Sequence, residues 1–216
     1  MINLNILNML KYRIVRFIES NPSINLLIYN NIRFFKFLLP HEKDYLGMKK
    51  IKLSSRESPH FIGSWNISND DLCNQIINFF QNNPQLQKKG VTTGNKINED
   101  VKKTTDITIN PNNLKSKDYD LFVTYFNHLN ECFLNYKEQF PFLKTFIKKI
   151  GIGPFNIQKY SPGGHFSQLH SERTSINTLQ RLFAWMTYLN DVKKEDGGST
   201  DFDYYKIKVN PERGKT

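Results

Sequence analysis

Residues 183–189, inside the run RLFAWMTYLNDV, are apolar on both faces of an extended chain. Side chains alternate across a strand. Ala184, Met186 and Tyr188 therefore share one face, and Phe183, Trp185, Thr187 and Leu189 share the other. A strand apolar on both faces must be covered on both sides. The chain around it has to supply one layer above and one below.

The text upstream supplies helices. Leu72, Ile76, Phe79 and Phe80 recur on one helical face, and Ser68 with Asp71 reads as a capping box that starts this helix. A longer helix is predicted over 117–138, with Phe122, Tyr125, Phe126, Leu129, Phe133 and Tyr136 as its buried stripe and Pro141 as its stop. Residues 61–65 and 106–109 read as short strands. Residues 81–99 are polar and Asn-rich and read as a loop, with Val91 in a short strand at most. Near Phe155 the period changes from 3.6 to 2. Asn156, Gln158 and Tyr160 share one parity, as do Phe166, Gln168, His170 and Glu172. Strands and turns run from there to Thr216, which gives an α+β chain.

Residues 1–57 form a basic, amphipathic N-terminal extension to a domain over 58–216. Ile6, Leu7, Leu10, Ile14, Phe17 and Ile18 lie at near-helical spacing, Asn21-Pro22-Ser23 interrupts it, and a second apolar stretch runs over 24–39 until Pro40. Two helices packed on one end of the domain are expected; an interfacial membrane pair is the alternative. The net charge of +10 invites a nucleic-acid reading. Lys is scattered among Asn and Ile, however, as on a solvated face, so no clear nucleic-acid site is expected. No apolar run approaches the roughly 18 residues of a membrane span, and the N-terminus lacks the pattern of a cleaved leader. Cys73 and Cys132 fall in predicted helices without disulfide or metal spacing. They read as small buried apolar residues in a reducing, cytoplasmic interior.

His170-Ser171-Glu172 carries the chemistry. At this spacing on a strand, an imidazole and a carboxylate face the same way and can hold one metal ion. A face of two His and one carboxylate is the usual site of non-haem Fe(II) oxygenases. Of the other histidines, His165 has the opposite parity and lies roughly 16 Å away along an extended strand. His128 sits in a helix, and His41 and His60 lie upstream. All four read as structural or surface residues.

The surrounding residues resemble a family. Tyr160, Gly163, Gly164, Phe166, His170-x-Glu172, Arg181, Tyr188 to Asp191 (YLND), Gly197 to Thr200 (GGST), Phe202 and the closing VNPERGK are similar, in order and spacing, to the catalytic domain of prolyl 4-hydroxylase-like dioxygenases. Residues 61–216 share the likeness. It implies a double-stranded β-helix, the jelly roll of cupin-like folds, with packing helices on one side. It implies Fe(II) held by His170 and Glu172, and 2-oxoglutarate with Tyr160 and Tyr188 as its hydrogen-bonding residues. Dioxygen is the co-substrate, ascorbate an accessory reductant and succinate a product, with hydroxylation of a peptidyl residue such as proline. Asn190 would help at the barrel mouth, Gly197 and Gly198 would make a turn, and Thr200 would face inward.

Two departures accompany the likeness. Many members carry Asp where this chain has Glu172, whose longer arm changes the geometry. The family's distal His, and the Lys or Arg that pairs with the far carboxylate of 2-oxoglutarate, lie beyond the turn with which this chain ends. The last strands of the jelly roll are thus expected to be missing. The alternative function is a catalytically inactive truncated jelly-roll module that binds a partner. An open sheet edge beside YYKIKV would favour association of copies.

Overall fold

The computed structural model describes residues 11–19, 47–53, 60–147, 150–173 and 176–216. Its strands are β1 (Lys11–Glu19), β2 (Lys49–Ile51), β3 (Ser64–Asn66), β4 (Lys88–Lys89), β5 (Lys102–Lys103), β6 (Thr105–Ile109), β7 (Gly151–Ile152), β8 (Phe155–Tyr160), β9 (His165–Phe166), β10 (Arg181–Tyr188), β11 (Thr200–Phe202) and β12 (Ile207–Val209). Its α-helices are α1 (Asp70–Asn82), α2 (Asp120–Gln139) and α3 (Phe142–Phe146). A six-stranded sheet runs β10-β1-β8-β6-β4, with β7 paired to β1. Every pairing in it is antiparallel. Three two-stranded sheets, β11-β12, β2-β3 and β5-β9, accompany it. The fold is α+β, and its described strands do not close into a barrel.

Helix α1 starts because Asn69 caps it, its side chain accepting from the Leu72 amide at 3.0 Å. Asp70 and Asp71 follow in the first turn, where the helix dipole favours negative charge. The cap thus falls one residue beyond Ser68, which has a positive φ of 50° instead. Leu72, Cys73, Ile76, Ile77 and Phe80 are buried. On α2 the buried stripe is Phe122, Tyr125, His128, Leu129 and Cys132.

These helical faces cover one side of the large sheet. Ile14, Ile107, Ile109, Phe155, Ile157 and Trp185 join them in a single apolar cluster. The Phe122 and Phe155 rings meet edge to face at 5.6 Å. The buried Tyr125 hydroxyl lies 2.8 Å from Thr187 Oγ1 and accepts from Trp185 Nε1 at 3.1 Å. The opposite face is covered in part by β11-β12, where Ile207 and Val209 pack on Tyr188 with Met186 and Phe202. Strand β10 is therefore covered on both sides, with the two faces divided as its alternation predicts.

Two expectations change. The near-helical spacing around Ile14 gives a strand: β1 lies between β8 and β10 and pairs with both. Residues 1–10 and 20–46, including the second predicted helix and His41, lie outside the described residues. The strand carrying the metal pair is also shorter than predicted. β9 ends at Phe166, and His170 and Glu172 stand on irregular chain after it.

The last residues close the end of the sheet. Tyr188 N donates to Lys215 O at 2.8 Å, and Thr216 N donates to Trp65 O at 2.8 Å. Gly214 has φ +75°, and a Cβ there would meet Asn66 Oδ1 at 2.8 Å, so only glycine fits. No described helix is long and apolar enough to cross a membrane.

Candidate metal and anion site

The polar side of the large sheet gathers the sequence-predicted residues. Directly opposed residues of antiparallel strands share a face. Register places Asp106 opposite Gln158, Gln158 opposite Arg13, and Arg13 opposite Tyr188. Tyr160 is two residues along β8 on the same face. This row is almost entirely removed from water: Asp106, Gln158, Arg13, Tyr160 and Tyr188 are all buried.

Arg13 is central to it. Its Nε donates to Gln158 Oε1 at 3.1 Å, Nη1 contacts Met186 Sδ at 3.3 Å, and Nη2 donates to the Tyr160 hydroxyl. The guanidinium carbon sits 4.6 Å from the Tyr160 ring centroid. Tyr160 in turn donates to Gln158 Oε1 at 3.1 Å. All these partners are neutral. A buried guanidinium whose hydrogen bonds among the described residues reach only neutral groups is suited to an anion, since burying a charge is costly unless it is paired. Burial pushes the Tyr160 hydroxyl up to about 12, against the opposing pull of Arg13. It therefore stays protonated and able to donate.

Tyr188 stands beside it. Its hydroxyl is 2.6 Å from Thr200 Oγ1 and 3.2 Å from the Val209 carbonyl oxygen, so Thr200 does face inward. Burial raises its pKa, and Thr200 and Arg13 oppose the rise.

The metal pair converges without strand geometry. His170 Nε2 and Glu172 Oε1 are 3.2 Å apart. His170 Nδ1 lies 2.9 Å from the Gln168 carbonyl. A carbonyl only accepts, so Nδ1–H donates to it, and Nε2 is left to face the Glu172 carboxylate. The two atoms stand within hydrogen-bonding distance, and a cation in place of a shared proton would meet both. Ligands in adjacent positions, each roughly 2.1 Å from an ion, are about 3 Å apart, so the pair fits two positions around one metal. Phe166 orients the imidazole by stacking on it at 4.4 Å and 18°. Burial raises the Glu172 carboxyl, opposed by His170, Arg181 and Arg13. Arg181 Nη1 is 3.7 Å from its other oxygen.

The described residues contain no group of three or more His, Cys, Asp and Glu that could hold a metal ion. The other described histidines are occupied elsewhere. His165 lies against the carbonyls of Gly163 and Asp100 at 3.1 and 3.2 Å. His128 lies 3.2 Å from Asn69 Nδ2. His60 Nδ1 accepts from the Ile62 amide at 3.4 Å, and its ring meets Tyr205. Asn190 is buried and bonds its neighbour's carbonyl. Gly197 and Gly198 have φ of 75° and 76°, as a turn requires.

Arg13, Gln158 and Asp106 are the site residues that the sequence concealed. Gln158 had the right parity. Arg13 and Asp106 carried no motif, and their roles follow from strand pairing alone. The chain matches no protein-family model, no curated protein and no solved structure.

Proposed function

We propose that this site belongs to an Fe(II)- and 2-oxoglutarate-dependent dioxygenase of the prolyl 4-hydroxylase-like kind, acting on a peptidyl residue with proline the leading substrate. The observation that carries the reading is the pairing of two features: an imidazole nitrogen and a carboxylate oxygen 3.2 Å apart, and a buried guanidinium whose hydrogen bonds among the described residues go to neutral groups. Metal and dicarboxylate are the two ligands that such a site would take.

In this reading His170 and Glu172 hold the metal. Iron, with 2-oxoglutarate and dioxygen, supplies the oxidising chemistry when bound, and ascorbate serves as an accessory reductant. Arg13 binds a carboxylate of 2-oxoglutarate by charge-assisted hydrogen bonds through its remaining N–H groups, and the Tyr160 hydroxyl joins it by turning its one proton from Gln158 to the ligand. Arg13 so serves as the counter-charge that the resemblance assigns to a Lys or Arg. Tyr188, held by Thr200, stands on the same face of the sheet, opposite Arg13. Burial of the row excludes water and strengthens these interactions. The large sheet and the β5-β9 and β11-β12 pairs are read as part of a double-stranded β-helix. A reducing, cytoplasmic setting suits Fe(II) and the free Cys73 and Cys132.

Succinate release from 2-oxoglutarate with Fe(II) tests the proposal, and His170→Ala is expected to abolish it by removing a metal ligand. Unchanged turnover in His170→Ala would dispose of the assignment. A second reading, a partner-binding module without catalysis, is favoured by one observation: only two candidate ligands converge among the described residues. It predicts no succinate from the wild-type protein.

A further inference from the structure

We propose that Asp106, held by Lys102, is a positioning residue for the anion site: it fixes the Gln158 amide, and through that amide the direction in which Arg13 presents its guanidinium. The inference rests on the reading of the site just given. The Gln158 side chain has two orientations of nearly equal shape, one with the carbonyl oxygen toward Arg13 and one with the NH2 group there. Asp106 chooses between them. Its Oδ2 accepts from Gln158 Nε2 at 3.3 Å, and an ionised carboxylate can only accept. Gln158 Oε1 is thereby turned to the other side, where it accepts from Arg13 Nε and from the Tyr160 hydroxyl, both at 3.1 Å. Flipped, the amide would set NH2 against guanidinium N–H, donor against donor.

Lys102 keeps Asp106 from competing for Arg13. Its Nζ lies 2.7 Å from the same Oδ2, with the two side chains only 5% and 8% exposed. The pair neutralises itself, and the Arg13 charge is left for a ligand. Asp106 Oδ1 is buried with no hydrogen-bond partner among the described residues. A half-satisfied buried carboxylate is a cost that folding alone does not explain, and such costs gather at functional sites.

Calorimetric titration of 2-oxoglutarate into the anaerobic Fe(II) protein tests this, on wild type, Asp106→Asn and the double variant Lys102→Met/Asp106→Leu, with thermal unfolding run alongside. Asn can turn either its oxygen or its nitrogen to Gln158, so Asp106→Asn is expected to bind about tenfold more weakly. Apolar replacement of a buried ion pair is commonly neutral or stabilising. The double variant is therefore expected to unfold no earlier than wild type and still to bind as weakly as Asp106→Asn. Gln158→Leu, which removes the relay alone, should show the same loss. A merely structural Asp106 would let affinity return with stability. Wild-type affinity in the folded double variant, or in Gln158→Leu, overturns the proposal. Absence of 2-oxoglutarate binding by the wild type overturns the functional reading on which it rests, and is seen before any variant is made.

Discussion

Arg13 and Gln158 stand 145 residues apart in the chain and 3.1 Å apart in the fold. His170, Glu172, Tyr160 and Tyr188 were legible as candidates because their spacing and neighbours form a local pattern. Arg13 was not, since nothing near it in sequence shows that β1 will lie beside β8. Arg13→Gln should weaken 2-oxoglutarate binding roughly ten- to hundredfold, the worth of a hydrogen bond to a charged group, while leaving the thermal midpoint without ligand little changed or raised. Calorimetry checks it, and an unchanged affinity would remove Arg13 from the site. His128 carries a second prediction. Asn69 Oδ1 accepts from Leu72 N, so its Nδ2 must donate to His128 Nε2. The ring is thus neutral, and burial lowers its pKa. The unfolded chain binds the extra proton first, so stability is full above about pH 6.5 and falls as pH drops through that value toward the lower folded pKa. Thermal midpoints measured between pH 8 and 5 should fall less steeply in His128→Asn than in wild type.

β1 shows how pairing overrides spacing. Ile14, Phe17 and Ile18 have helical intervals, but β-branched and aromatic residues also suit a strand. Here the ladders to β8 and β10 decide. The sequence says nothing about which strands flank a segment, and that is the information the helix reading lacked. The reverse holds for β9: parity extended the strand through Glu172, yet it stops at Phe166. The pair still converges, because the Gln168 carbonyl and the Phe166 ring hold the imidazole. The helices were legible because their stripes are long and their stops strong. On β8, Ile157 is fully buried between β1, β6 and the helices. Ile157→Ala should cost about 2–5 kcal/mol in a denaturant titration. A change within error would mean that this face is not the core.

At the scale of the described fold, one sheet separates an apolar side packed on α1 and α2 from a side that carries the buried polar row proposed as the site. The alternation of Phe155 to Tyr160 and of Phe183 to Leu189 announced that division. The order of the strands needed the structure. β12 pairs only with β11 among the described residues, leaving an edge beside the exposed Tyr204. Such an edge invites pairing between copies, so sedimentation velocity should show concentration-dependent association. A monomer at every concentration would contradict it. The most direct test of the central claim is Fe(II) binding measured anaerobically with and without 2-oxoglutarate. The account predicts weak binding of the metal alone, tight binding of one ion per chain when 2-oxoglutarate is present, and loss of both in His170→Ala. Iron binding that ignores 2-oxoglutarate, or that survives His170→Ala, would contradict it.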